Sequence, residues 1–156
     1  MFDHLPSVGS LPQTLPLHLP GGCGVVGYLA LPGGAPADRL VVAIHGSADN
    51  ARCYAHALGR SAAPKGVAVL APLFEAPCFM DAEQASDAIF RALKAADPWL
   101  SYGAVERFYL AAFGDGSRIS LTFALARPNR VRGLCIGEKV RDHDLADRLA
   151  TFFETV

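Results

Sequence analysis

The sequence predicts a three-layer α/β domain: a mostly parallel sheet with helices on both faces. Three observations predict it. Apolar runs of strand length recur at Leu40 to Ile44, Val67 to Leu73, Arg107 to Phe113 and Val131 to Ile136. Helix-period segments separate them, and the runs are nearly continuous rather than alternating, as strands buried on both faces are. Alternation of β and α, with right-handed crossovers as the default, gives the layered architecture.

Taken in order, residues 1–22 hold Pro6, Pro12, Pro16 and Pro20 and end in Gly21-Gly22, which predicts an extended N-terminal segment able to supply an edge strand. Residues 23–156 form the single domain. Gly24 to Leu31 reads as a strand, closed by the turn signal Pro32-Gly33-Gly34. After Leu40 to Ile44 the chain breaks at His45-Gly46-Ser47, and Asn50 is placed to cap a helix through Ala62. Gly66 opens the next strand. Asp81 and Gln84 have capping-box spacing, and Ala85, Ile89, Ala92, Leu93 and Ala96 share one helical face up to Pro98. The third buried strand leads through a glycine turn into a helix with Ile119, Thr122, Phe123 and Ala126 on one face, stopped by Pro128. A closing helix from Asp142 carries Leu145, Leu149, Phe152 and Phe153. Trp99, Phe108, Tyr109 and Phe113 are expected in the core.

Composition narrows the function. The 156 residues, half of them apolar, suffice for one core. Fourteen basic against fifteen acidic residues leave a net charge of −1, with no basic run to release counterions, so nucleic acid and anionic membrane are not expected as partners. There is no signal-peptide pattern and no apolar stretch of bilayer length, which points to a soluble, cytoplasmic protein. Cys23, Cys53, Cys78 and Cys135 lack metal or dithiol spacing and read as buried free thiols, while His4, His18 and His56 have no partners at ligand spacing. No metal and no cofactor is expected.

Three segments together resemble the α/β-hydrolase superfamily, specifically its serine esterase and depolymerase-like members. They are VVAIHGSADNARCY (41–54), GVAVLAPLF (66–74) and ERFYLAAFGDGSRISLTFALARPNRVRGL (106–134). The resemblance implies an abbreviated α/β-hydrolase fold over residues 24–136. It also implies an oxyanion loop at His45, Gly46 and Ser47; a strand-to-helix loop that needs its glycine accounts equally well for those three residues.

The family's nucleophile elbow, Gly-x-Ser-x-Gly, aligns with Ala112, Phe113, Gly114, Asp115 and Gly116, so glycine stands at the serine position. Glycine there relieves backbone strain and removes the hydroxyl. Ser117 is a displaced candidate nucleophile, against its ordinary role as a first-turn serine. Asp115, whose N–H the family pattern assigns to the oxyanion site, reads otherwise as a solvated first-turn acid favoured by the helix dipole. In the family, the acid and histidine follow on later loops. Only 20 residues follow Ile136, less than one βαβ unit of roughly 30 residues. His143 stands before the closing helix, as the family's catalytic histidine does, against the plain reading of an exposed helix-start residue.

The expected function is therefore that of an α/β-hydrolase-like protein of the serine esterase type with lost or much reduced activity. One alternative is a weak carboxylic ester hydrolase using Ser117 or the oxyanion loop. The other is a small-molecule-binding or homodimeric scaffold protein. A small acyl ester is the partner class the resemblance implies, and a homo-oligomer would cover the sheet edge at Val131 to Ile136.

Overall fold

A computed structural model describes residues 13–22, 24–33, 36–46, 50–74, 81–137 and 151. The strands are β1 (Gln13–Leu17), β2 (Gly27–Leu31), β3 (Arg39–Ile44), β4 (Val67–Pro72), β5 (Phe108–Phe113) and β6 (Val131–Gly137). The helices are α1 (Ala51–Ala62), α2 (Ala82–Ala96) and α3 (Gly116–Ala126). They build one six-stranded sheet in the order β1-β2-β4-β3-β5-β6. β4, β3, β5 and β6 run parallel, and β2 and β1 add antiparallel on one side. The extended N-terminal segment thus supplies an edge strand.

The order of the strands places the helices. From β3 the chain moves to β4 on one side, whereas β4 to β5 and β5 to β6 move the other way. With right-handed crossovers, a reversal of direction puts the connecting helices on opposite faces. Side-chain alternation along β3 records both. Leu40, Val42 and Ile44 belong to a core with Ile89, Leu93, Ile119 and Phe123 of α2 and α3, while Val41 and Ala43 join Tyr54, Leu58 and Ala62 of α1. Each of these β3 residues is fully buried, as a central parallel strand requires.

Helix starts follow the sequence signals. Asn50 Oδ1 accepts from the Arg52 and Cys53 N–H groups at 2.9 and 3.2 Å. The Asp81–Gln84 capping box is complete, at 2.7 and 3.1 Å.

Several expectations are corrected. Trp99 is half exposed, because the chain turns at Asp97–Trp99 after α2 and Leu100 takes the buried position instead. Cys53 is exposed and Cys135 half-buried, rather than fully buried; Cys23 and Cys78 lie outside the described residues. The buried face of α3 is Gly116, Ile119, Ser120 and Phe123, with Thr122 and Ala126 outside. Both sets fit helical spacing; the packing of Gly116 on β3 selects the first. β2 begins at Gly27 rather than Gly24. The helix expected from Asp142 lies outside the described residues.

Ser120 has no hydrogen-bond partner among the described residues and no exposed surface. Ser120→Ala is therefore expected to leave stability unchanged or raise it by up to about 1 kcal/mol, whereas Asp81→Ala, which removes a formed cap, should cost about 1 kcal/mol. Urea unfolding of the two variants beside the parent protein checks both.

Candidate functional site

β3 and β5 are adjacent, but the chain leaves their carboxyl ends in opposite directions, towards β4 and towards β6. In open α/β sheets such a divergence marks the crevice where ligands bind. The His45-Gly46 loop and the turn at Gly114 both stand there.

The turn is built by glycine at two positions. Gly114 has φ 78, the left-handed conformation that L side chains adopt at a cost. Its N–H donates to Gly137 O at 2.9 Å, and its carbonyl accepts from the Ser117 N–H at 3.1 Å. Gly116 meets the other requirement, close approach. A Cβ there would lie 2.6 Å from Ile44 O and 3.1 Å from His45 O, so the first turn of α3 rests directly on the end of β3. Asp115 is exposed at the helix start and makes no side-chain cap bond.

His45 is 3% exposed and holds two loops together. The Phe74 N–H donates to its Nε2 at 3.2 Å. That bond requires a lone pair on Nε2, which leaves the proton on Nδ1, 3.0 Å from the Gly46 carbonyl that accepts it. The ring also packs against Phe74 at 5.4 Å between centroids. Both nitrogens are thus engaged with main chain, and His45 joins the loop after β3 to the residues after β4.

Ser117 is half-buried at the ends of β5 and β6. Its hydroxyl donates to Gly137 O at 3.0 Å and lies 3.4 Å from Ala112 O. Among the described residues, no imidazole or carboxylate is hydrogen-bonded to it. The structure therefore brings together His45, Gly46, Gly114, Asp115 and Gly116 in the crevice, with Ser117 turned towards the strand ends behind it. Ser47 and His143 lie outside the described residues. Two participants were missed by sequence reasoning, Phe74 through its N–H and Gly137 through its carbonyl. Both act through main-chain atoms, which side-chain identity does not signal.

Elsewhere, His56 Nδ1 is 3.3 Å from Thr14 Oγ1 and His18 Nδ1 is 3.0 Å from Gly24 O. Among the described residues, no group of three or more His, Cys, Asp or Glu side chains is placed to hold a metal. No helix among them is long and apolar enough to cross a membrane.

No protein-family model matches the chain, and no curated protein matches it in sequence. Solved structures do match in fold. A predicted CIB-like hydrolase from Thermoplasma acidophilum aligns over 86% of this chain and 67% of its own, at 18% identity and a TM-score of 0.58. A thermophilic carboxylesterase cloned from a metagenomic library aligns over 80% of this chain and 46% of its own, at 17% identity and TM-score 0.59. A fluorophosphonate-binding serine hydrolase of Staphylococcus aureus aligns over 79% and 55%, at 16% identity and TM-score 0.61. The chain spans about half the length of the last two. The fold is α/β-hydrolase-like.

Two substitutions test the architecture of the turn. Gly114→Ser places a side chain at positive φ and should destabilise by about 1–3 kcal/mol. Gly116→Ala drives a Cβ into the β3 main chain and should cost about 1–3 kcal/mol through overpacking. Chemical denaturation measures both, and an unchanged midpoint for Gly116→Ala would contradict the contact with β3.

Proposed function

We propose that this is an α/β-hydrolase-like protein of the esterase type in which covalent catalysis at the elbow is lost, leaving ester hydrolysis absent or much reduced. The observation that carries this reading is Gly114, which occupies the positive-φ tip of the β5-to-α3 turn with no hydroxyl to attack a carbonyl. The neighbouring Ser117 supports it. Its hydroxyl is committed to the Gly137 carbonyl, whereas a serine nucleophile needs its proton directed to a base. What remains is a crevice at the divergence of β3 and β5, suited by position to a small acyl ester or similar molecule.

Association through the sheet edge is a second reading. β6 pairs with β5 on one side, no other described strand flanks it, and Ile136 is exposed there. Light scattering across a wide concentration range should then report a dimer.

Labelling purified protein with a fluorophosphonate, followed by peptide mapping, tests the main reading. No single serine should form an adduct. A stoichiometric adduct at Ser117 would overturn loss of covalent catalysis and establish a displaced nucleophile.

A further inference from the structure

Four arginines, Arg107, Arg127, Arg130 and Arg132, stand at the end of the sheet opposite the elbow. Pairing of Phe108 with Val131, then of Tyr109 with Gly133, sets Arg107 beside Arg130 and leaves Arg132 as the extra residue of a bulge. Arg127 arrives from the end of α3. Arg127 and Arg130 carry their guanidinium carbons 5.0 and 5.2 Å from the centroid of one ring, Phe90, so the two are at most about 10 Å apart. Arg127 also lies 5.3 Å from the Phe123 centroid and Arg130 5.9 Å from that of Phe108.

Each group with a recorded bond is oriented by an uncharged acceptor. Arg130 donates from Nε to Glu106 O at 2.7 Å and from Nη2 to Val105 O at 2.9 Å. Arg127 donates from Nη1 to Ser86 Oγ at 3.1 Å, and Arg132 from Nε to Arg107 O at 3.3 Å. Among the described residues none of the four is in an ion pair. Glu106 is the one acidic residue in 105–113 and 127–137, and among the described residues its carboxylate is exposed and bonded to none of the four arginines.

Among the described residues, this arrangement holds positive charge without a paired carboxylate. A guanidinium has five N–H donors, and aromatic stacking covers its faces while leaving its edges open. Among the described residues Arg130 uses two of its five donors and Arg127 one, so donors remain on groups whose orientation is already fixed. Pre-oriented, edge-on guanidinium pairs are suited to bidentate recognition of phosphate oxygens. The limit of about 10 Å on the Arg127–Arg130 separation favours a small ligand over an extended chain.

We infer that Arg107, Arg127, Arg130 and Arg132 form a binding site for a small, multiply charged phosphate-type anion, with a diphosphate as the group of matching size. The site is independent of the elbow, from which it is separated by the length of β5, roughly 20 Å.

Calorimetric titration of the full-length protein with inorganic pyrophosphate, at constant ionic strength, tests it. Saturable binding with a 1:1 stoichiometry is expected. The Arg107→Gln/Arg132→Gln double variant alters exposed side chains; it should keep its melting temperature and bind about ten-fold more weakly, through loss of charge-assisted bonds. Arg127→Lys keeps the charge but loses the planar fork, and it should bind several-fold more weakly. No saturable heat, or unchanged affinity in the double variant, would overturn the site. Tighter binding of a single-stranded oligonucleotide than of pyrophosphate, lost in the same variant, would overturn its assignment to a small ligand.

Discussion

The contact of α3 with the carboxyl end of β3 fixes the geometry of everything around the crevice. It is possible only because Gly116 has no side chain: even a methyl group would overlap the Ile44 carbonyl. That approach sets which face of α3 is buried and where the preceding turn must bend. Gly114 makes the bend at positive φ. Hydrogen bonds to the end of β6 then brace it, since Gly137 O accepts from both the Gly114 N–H and the Ser117 hydroxyl. Across the crevice, His45 plays the corresponding part by tying its own loop to Phe74.

These constraints explain how the β5-to-α3 turn keeps its shape with glycine at residue 114. Turn, helix and strand are held by main-chain atoms and by the absence of a Cβ at residue 116, none of which depends on a hydroxyl at residue 114. Glycine at that position relieves a conformational cost of about 1–3 kcal/mol that a serine would carry there. Scaffold and chemistry are therefore separable, and an α/β-hydrolase-like fold is by itself no argument for ester hydrolysis.

The far end of the sheet obeys a different logic. There Arg127, Arg130 and Arg132 lie within six consecutive residues, and the strand register adds Arg107 to them. Arg107 and Arg132 are twenty-five positions apart, yet pairing of β5 with β6 brings them together, and Phe90 of α2 supplies the surface on which Arg127 and Arg130 are spread. Near-neutral overall composition conceals such a grouping completely.

Over the described residues, the sequence by itself determined the strand and helix order, the caps at Asn50 and Asp81, the N-terminal edge strand and the position of the glycine turn. These are local matters, governed by apolar periodicity, side-chain capping and glycine's conformational freedom. Tertiary structure alone decided the rest. Two faces of α3 fitted the same periodicity until Gly116 met β3, and Trp99 turned outward once the chain bent after α2 and Leu100 filled the core. Ser117 could be weighed as a nucleophile from sequence, but the Gly137 carbonyl that engages it is brought close only by β5–β6 pairing. For α3 and Ser117 the physical reason is shared: each depends on main-chain atoms from distant segments, whose approach is set by sheet registry and packing, while for Trp99 it is the core that accepts Leu100 after the bend.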